Sequence, residues 1–249
     1  MLNGQRAVVT GGGRGIGLAV ARALAGTGAS VFLVGRDAGR LERAAASIGP
    51  AARWGAADVT DEAALAAVLA HAGPADILVN NAGGVDSKPV KRLTAEDMRR
   101  SLDQNLMGAF HAGQVLLPGM VERGHGRIVN IASTAGQKGY AYAAHYCASK
   151  HALIGLTRAM AVELARTGVT VNAICPGYVA TDLLEGSLDN IQAKTGLSRE
   201  DALARILTGN PQGRPVQAQE VAAAVLWLCS PGSGAVTGQA IGISGGEVT

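Results

Sequence analysis

A tyrosine and a lysine four residues apart form the most reactive pair in the sequence. Tyr146 and Lys150 lie in a segment with the composition of a helix, where residues four apart share one face. A free phenol has a pKa of about 10, and a nearby ammonium stabilises the phenolate, which moves proton transfer toward neutral pH. The pair is a candidate general acid and base. Because this spacing also arises by chance, the residues around the pair must decide whether it is functional.

A serine at the end of a predicted strand supplies a partner for this pair. Ser133 precedes Tyr146 by thirteen residues and follows the apolar run that ends at Ile131. We expect its hydroxyl to bind a substrate oxygen and to hold it beside the phenol, a role in which geometry sets the rate. The three residues together predict proton transfer at a carbonyl or alcohol oxygen.

A glycine-rich turn follows the first predicted strand. Residues 10–17 read TGGGRGIG, and the next residues predict a helix. Glycines allow a tight turn and a close backbone approach, and the helix N-terminus offers free N–H groups to a pyrophosphate. An ordinary strand-to-helix turn can also be rich in glycine, but this one lies where a dinucleotide site requires it.

The end of the second predicted strand indicates which dinucleotide binds. Proteins that bind NAD commonly have a carboxylate there, whereas a guanidinium suits the 2′-phosphate of NADP. Gly35 occupies the acid position and Arg36 follows it. Arg14, in the glycine turn, is a candidate second cation. The pattern favours NADP(H), and NAD(H) is the alternative if Asp37 turns inward.

Two further strand ends carry candidate cofactor residues. Asp58 and Val59 follow the third predicted strand, and Asn81, Ala82 and Gly83 follow the fourth. Cofactors bind at the carboxyl ends of strands in open α/β sheets. Asp58 either accepts a hydrogen bond from the adenine amino group or caps the next helix.

Short apolar runs alternate with alanine-rich segments along all 249 residues, which predicts a single-domain α/β fold with a Rossmann-type, doubly wound, seven-stranded parallel sheet. The predicted strands are Ala7–Thr10, Ser30–Val34, Ala52–Ala56, Ile77–Val79, Arg127–Ile131, Thr170–Ile174 and Ala240–Ile243. The predicted helices are Gly15–Gly26, Ala38–Ile48, Glu62–His71, Thr94–Arg123 (a short helix and then a longer one), His145–Arg166 and Ala218–Cys229. Residues 183–210 are expected to form a helical substrate lid with an N-cap at Ser198.

These motifs, in this order, resemble the short-chain dehydrogenase/reductase family over essentially the whole chain. The resemblance implies hydride transfer between a nicotinamide and a carbonyl carbon, with Asn105 completing a catalytic tetrad and relaying protons through water to Lys150. The expected catalytic residues are Asn105, Ser133, Tyr146 and Lys150. The expected cofactor-binding residues are Gly11, Gly13, Arg14, Gly15, Ile16, Gly17, Arg36, Asp58, Val59, Asn81, Ala82, Gly83, Tyr146, Lys150, Pro176, Gly177, Val179 and Thr181.

A narrower resemblance is to the aromatic-polyketide and acyl-carrier-protein β-ketoacyl reductases, carried by residues 126–134, 149–151 and 163–168. It implies a β-ketoacyl thioester or polyketide-like carbonyl as substrate, and a homotetramer. The alternatives are an NAD-dependent dehydrogenase of a small, cyclic or sugar alcohol and, more remotely, a non-catalytic dinucleotide sensor. This family usually has an acid before its final double glycine, whereas Ser244 stands there in this chain, which puts the C-terminal contacts in doubt.

Composition argues against several other classes of protein. The net charge is +3, but acidic residues are interspersed among the basic ones, so no nucleic-acid partner is expected. Three cysteines without a CxxC pair and five dispersed histidines predict neither disulfides nor a metal site. Without a signal-like segment or a membrane-length apolar run, a soluble cytoplasmic protein is expected. His145, with Tyr140 and Tyr142, is expected to line the substrate mouth.

Overall fold

Seven short apolar segments form one parallel sheet in the computed structural model, which describes residues 2–248. The strands are β1 (Arg6–Thr10), β2 (Ser30–Gly35), β3 (Ala52–Ala56), β4 (Ile77–Asn80), β5 (Gly126–Ile131), β6 (Val169–Pro176) and β7 (Ala240–Ile243). Their spatial order is β3-β2-β1-β4-β5-β6-β7. This is the doubly wound sheet that the sequence predicts.

The chain reverses its direction of travel across the sheet between β1 and β4. Thr10 is in register with Asn80, and Asn80 is in register with Asn130 of β5. Because all strands are parallel, the residues that follow them emerge at one edge. In open α/β sheets, ligands bind in the crevice at such a reversal point.

Helices cover both faces of the sheet. In residues 2–248 the α-helices are α1 (Gly15–Gly26), α2 (Ala38–Ile48), α3 (Glu62–Ala72), α4 (Ala95–Leu102), α5 (Gly108–Glu122), α6 (Ala144–Glu163), α7 (Asp182–Thr195), α8 (Arg199–Leu207) and α9 (Ala218–Cys229). The predicted short and long helices between Thr94 and Arg123 are α4 and α5. A five-residue π-helical segment, Asp103–Met107, joins them, and no feature of the sequence analysis predicted it.

Apolar side chains from these helices form a core on each face. Leu24 of α1 and Val225 of α9 are fully buried against one face. Leu69 of α3 and Met120 of α5 are fully buried against the other. With both faces covered, the strands read as continuous apolar runs, as parallel strands generally do.

β6 is longer than predicted at both ends. The sequence predicts Thr170–Ile174, but the strand runs from Val169 to Pro176. It lies between β5 and β7, and its last residue is still paired, with Ile243. Pairing on two sides extends the strand beyond its most apolar part.

Residues 183–210 are helical, as predicted, and contain most of α7 and all of α8. Ser198 caps α8 by accepting a hydrogen bond from the backbone N–H of Asp201 at 3.1 Å, which confirms the predicted N-cap. Leu184, Leu188 and Ala202 are buried in a small core of their own. The two helices therefore pack mainly against each other.

Within residues 2–248, no helix has the length and apolarity to cross a membrane.

Candidate active site

The expected reacting residues meet where β5 ends and α6 begins. Ser133 follows β5 in extended conformation, and its hydroxyl accepts a hydrogen bond from the N–H of Ala135, which starts a short 3-10 turn. Tyr146 lies in the first turn of α6 and Lys150 one turn later. The Ser133 hydroxyl is close enough to the Tyr146 phenol to lower its pKa, and Lys150 Nζ is 5.7 Å from the centre of the Tyr146 ring.

Burial controls the protonation of this pair. It raises the pKa of Tyr146 to about 12, against a smaller opposing effect of the Ser133 hydrogen bond. It also lowers the pKa of Lys150 to about 8. The prediction that the ammonium brings the phenol pKa toward neutrality is therefore wrong for this structure, because loss of water disfavours both charged forms. Near neutral pH, Tyr146 keeps its proton and can act as an acid.

Lys150 and Asn105 approach the same glycine. Lys150 is 4% exposed and donates a hydrogen bond to the carbonyl oxygen of Ile131 at 2.9 Å. A Cβ at Gly83 would lie 3.7 Å from Lys150 Nζ and 2.6 Å from Asn105 Oδ1. The backbone after β4 therefore passes close to both side chains, and it can do so because residue 83 is glycine.

The π-helical segment holds Asn105 in place. Its amide donates to the carbonyl oxygens of Ser101 and Gly84, both at 3.0 Å, and its oxygen accepts from the N–H of Gly84 at 3.2 Å. A π turn adds a residue to the helix and often occurs at functional sites. The resemblance implies that Asn105 bends its helix, and the departure from α-helical geometry lies at this residue.

A buried chain of side chains behind the site was not predicted. Asn80 donates to the side-chain oxygen of Asn130, and Asn130 donates to the hydroxyl of Thr157, both at 2.9 Å. These bonds join β4, β5 and α6, the three elements that carry the reacting groups. Asparagines at the ends of two successive predicted strands were the available signal, but the contact with Thr157 depends on how α6 packs.

The glycine turn is built around Asn81. Its side-chain amide donates to the carbonyl oxygens of Thr10 and Gly11, both at 3.1 Å. A Cβ at Gly17 would lie 2.2 Å from the carbonyl oxygen of Gly11, and a Cβ at Gly11 would lie 2.7 Å from Asn81 Nδ2. Only glycine fits at these two positions, so the turn brings backbone N–H groups to its surface.

The N-terminus of α1 is suited to a phosphate. Arg14 is its N-cap residue, and its side chain does not cap the first turn, so N–H groups of that turn are available to an anion. The Arg14 guanidinium is exposed and lies 3.5 Å from Asp182 at the beginning of α7. A Cβ at Gly15 would lie 3.3 Å from the Thr181 methyl group. The glycine turn and the start of α7 therefore face each other.

Arg36 and Asp58 are neighbours at the adenosine end. The Arg36 guanidinium is 75% exposed and lies 3.7 Å from the Asp58 carboxylate. Asp58 accepts from both the N–H and the hydroxyl of Thr60, while Asp61 caps α3. The alternative that Asp58 caps this helix is therefore wrong, because the cap lies three residues further on.

Asp37 and Arg40 refine the expectation about the cofactor. Asp37 caps α2 by accepting from the N–H of Arg40 at 2.9 Å, so its carboxylate is held by the helix terminus. The side chain of Arg40 lies against the glycine turn, where a Cβ at Gly13 would be 3.3 Å from its Cγ. This cation was not predicted, although its place one turn after the Asp37 cap was the available signal.

The loop after β6 is fastened on two sides. Pro176 ends the strand, and the N–H of Gly177 donates to the carbonyl oxygen of Ile243 at 3.1 Å. Val179 forms an isolated parallel bridge with Val216. The loop therefore carries residues 176–181 along the same edge as Ser133 and Tyr146.

Three apolar residues of the expected cofactor site pack into the surrounding core. Ile16 packs against the cluster beneath α1, and Ala82 against the cluster on the other face. Val59 is buried against Gly108, where a Cβ would lie 2.7 Å from its methyl group. These side chains shape the walls of the crevice, and any contact with a ligand uses what they leave exposed.

His145 does not line the substrate mouth, contrary to the expectation. It is 2% exposed, and its Nε2 pairs with Asp86 on the side of α6 toward α4. Tyr140 is half-buried and directs its hydroxyl to Glu247. Tyr142 is 62% exposed and has a positive φ of 65°. Packing of α6 against α4 decides the direction of His145, and sequence adjacency to Tyr146 does not reveal it.

Metal binding and disulfide formation depend on how the candidate side chains are arranged. No group of three or more His, Cys, Asp or Glu side chains is arranged to hold a metal ion in the part of the chain that the structure describes. Cys147, Cys175 and Cys229 are free thiols, and all three are buried.

Comparison with known proteins identifies the family. A model of short chain dehydrogenases matches residues 5–192. The chain belongs to the short-chain dehydrogenase family.

Relatives of this short-chain dehydrogenase match nearly its whole length. A Streptomyces coelicolor protein with the provisional name ketoacyl reductase is 43% identical over 96% of this chain and 95% of its own. The acetoacetyl-CoA reductase of Rhizobium meliloti is 40% identical over 97% of each chain. A crystal structure of an actinorhodin polyketide ketoreductase variant with NADPH has a TM-score of 0.91 and 42% identity, covering 98% of this chain and 97% of that one.

In this short-chain dehydrogenase, we expect Gly17→Ala to weaken NADPH binding by more than tenfold, because the new methyl group would collide with the Gly11 carbonyl and open the turn. Titration of nicotinamide fluorescence measures the affinity. Gly26→Ala, at the other end of α1, is the control, since no heavy atom lies within 4 Å of its Cβ position. Unchanged binding by Gly17→Ala would contradict the close-approach role of this glycine.

Proposed function

We propose that this protein is an NADP(H)-dependent ketoreductase that reduces the ketone of a β-ketoacyl thioester or polyketide-like substrate. The convergence of Ser133, Tyr146 and Lys150 beside the glycine turn is the observation that carries the proposal. The family membership and the acetoacetyl-CoA reductase and polyketide ketoreductase relatives support the substrate class.

Tyr146 is the general acid of the proposed reaction. Its O–H bond breaks as the proton passes to the substrate oxygen, and a pKa of about 12 means that the phenol is fully protonated beforehand. Lys150, with a pKa of about 8, is mostly an ammonium at pH 7. Its charge then offsets the phenolate that remains after transfer. Alcohol oxidation would use the same groups in reverse.

Ser133 and Asn105 position the reacting groups in this proposal. The Ser133 hydroxyl binds the substrate oxygen beside Tyr146, which removes much of the orientational cost of reaction. After transfer, the Tyr146 phenolate regains a proton at the expense of the Lys150 ammonium, and Asn105, held by Gly84 and close to the same glycine as Lys150, is the proposed route by which water returns a proton to the lysine.

The described residues fit a dinucleotide. The glycine cradle, the uncapped first turn of α1 and the cations at the end of β2 match the pyrophosphate and 2′-phosphate of NADPH. We assign cofactor binding to the residues expected from the sequence, with Arg40 in addition. When bound, the reduced nicotinamide supplies hydride to the carbonyl carbon.

The choice of NADP(H) over NAD(H) rests on the residues that follow β1 and β2. Arg36 and Arg14 are exposed and only loosely paired with acids, at 3.7 and 3.5 Å. Asp37, which would favour NAD, is engaged as a helix cap. An anionic 2′-phosphate therefore meets available cations at this end of the crevice.

Two features of the wider molecule belong to the same proposal. The whole chain is one domain in which residues 183–210 close over the substrate, since α7 begins beside the glycine turn and α7 and α8 share their own small core. The protein is a homotetramer, for which exposed apolar side chains on α6 and α9, Val162 and Trp227, provide surface. Light scattering of the purified protein in solution measures the number of subunits.

Steady-state reduction with a panel of ketones tests the function itself. We expect turnover of a β-ketoacyl thioester with NADPH, followed by loss of nicotinamide absorbance, and a lower kcat/KM with NADH. Plain cyclic ketones or sugar-derived ketones are the comparison substrates. Turnover of only these, or a preference for NADH, would favour a general alcohol dehydrogenase and contradict the proposed substrate class.

Replacement of Tyr146 by phenylalanine tests the general acid. Tyr146→Phe keeps the ring and removes the transferable proton, so we expect ketone reduction to fall by about 10²–10⁴-fold. NADPH affinity should change little, and fluorescence titration checks this. Tyr142→Phe, at an exposed tyrosine, is the matched control. A Tyr146→Phe variant that retains most of its activity would overturn the assignment.

Replacement of Arg36 by alanine tests the cofactor choice. Hydrogen bonds to charged groups contribute about 1.5–3 kcal/mol, so we expect the ratio of kcat/KM for NADPH to that for NADH to fall by about 10–100-fold. The value for NADH should be nearly unchanged. Arg22→Ala, on the exposed side of α1, is the control. An unchanged ratio in Arg36→Ala would show that other groups select the cofactor.

A further inference from the structure

The C-terminal tail turns back sharply after β7 and packs under the end of α8. Gly245 and Gly246 both have positive φ, 64° and 89°. A Cβ at Gly245 would lie 2.4 Å from the side-chain oxygen of Asn210, and one at Gly246 would lie 3.2 Å from Pro211. The double glycine therefore lets the tail pass directly against the chain that follows α8.

The tail delivers a buried carboxylate to the substrate side of the sheet. The side chain of Glu247 is 4% exposed, and it forms an ion pair with Lys138 at 3.1 Å. The phenol of Tyr140 donates a hydrogen bond to Glu247 Oε1 at 2.5 Å. Burial and this hydrogen bond both raise the pKa of Tyr140, so the phenol remains a donor. Lys138 Nζ also donates to the backbone carbonyl of Glu247 at 3.4 Å.

This carboxylate contacts three segments around the proposed substrate site. Through Tyr140 it reaches the buried hydroxyl of Thr134, 2.6 Å from the Tyr140 oxygen and one residue from Ser133. A Cβ at Gly177 would lie 2.9 Å from Glu247 Oε2. A Cβ at Gly209, just after α8, would lie 3.6 Å from Glu247 Oε1. The loop after β5, the loop after β6 and the end of the helical lid thus meet at one side chain.

We propose that Glu247 is a positioning residue for ketone binding, which acts through Tyr140 and Thr134 on the turn that carries Ser133 and holds the loop after β6 and the end of the lid against it. The proposal rests on the proposed reductase function, because it concerns the substrate side of that site. In this chain Ser244 precedes the double glycine and an acid, Glu247, follows it. The proposal therefore also gives that acid a role.

The electrostatics of the contact favour a tether. A buried carboxylate is costly unless it is paired and hydrogen-bonded. Glu247 has a cation and a phenol as partners, and both come from the loop between β5 and α6. Loss of the charge would therefore weaken the attachment of that loop to the tail. The sheet would be less affected, because β7, which precedes the tail, is held by backbone bonds to β6.

Matched variants separate positioning from general damage to the fold. Glu247→Gln keeps the shape and removes the charge, Tyr140→Phe removes the linking hydroxyl, and the double variant combines them. Glu163→Gln, at the exposed end of α6, is the control. Each variant is checked for native circular dichroism, and then assayed for KM and kcat with a ketone, for NADPH affinity and for amide hydrogen exchange.

We expect Glu247→Gln and Tyr140→Phe each to raise the KM for the ketone by about tenfold, as loss of a charge-assisted hydrogen bond does, with kcat and NADPH affinity within about threefold. The double variant should be no worse than the poorer single variant, because the two residues act as one unit. Exchange in residues 134–140 and 205–213 should become faster in these variants and stay unchanged in Glu163→Gln.

An unchanged ketone KM in folded Glu247→Gln would overturn the proposal, and so would effects of the two substitutions that simply add. The exchange measurement needs no turnover, so it distinguishes failure of the proposed reductase function from failure of the proposed role of Glu247. A wild-type protein that reduces no ketone would refute the proposed function, whereas faster exchange in residues 134–140 of Glu247→Gln would still support the tether. Unchanged exchange would refute the tether whatever the activity.

Discussion

The position of β4 between β1 and β5 is the constraint on which the site depends. Its last residue, Asn80, is in register with Thr10 on one side and with Asn130 on the other. The next residue, Asn81, closes the glycine turn, and Gly83 passes close to both Asn105 and Lys150. One strand end therefore joins the nucleotide half of the crevice to the reacting half. A shift of its register by one residue would misplace both.

The two ends of the crevice differ in their exposure to water. Tyr146 and Lys150 lie where loss of solvent moves the pKa of each toward its neutral form, upward for the phenol and downward for the ammonium. Arg14 and Arg36 remain exposed at the other end. The ammonium of Lys150 is therefore little screened by salt, whereas the exposed guanidinium groups at the other end are screened and available to an incoming phosphate.

The substrate side is assembled from segments that are distant in sequence. The loop after β5, the loop after β6, the end of α8 and the C-terminal tail come together around Glu247. The loop after β6 is held by backbone bonds to Ile243 and Val216, and side-chain contacts join these loops to the tail. Side-chain contacts therefore join these segments to the turn that carries Ser133.

Much of the fold and of the reacting site follows from local patterns. Strand and helix periodicity, the glycine turn and the spacing of Tyr146 and Lys150 are properties of neighbouring residues, so the sheet and the residues gathered at its edge were predictable. So was the cation at Arg36, since its place is set by the end of one strand. Even the cap of α8 at Ser198 depends only on residues three apart.

The remaining features depend on contacts between distant parts of the chain. The π turn at Asn105 is held by Gly84, 21 residues away, and Glu247 reaches Tyr140 across 107 residues. The phenol pKa rises because the surrounding packing excludes water, which the spacing to Lys150 does not reveal. The sequence by itself therefore determined which groups are present at the sheet edge, and only the tertiary structure decided their burial, their partners and the shape of the pocket. Solvent exclusion and long-range packing exist only once the chain has folded.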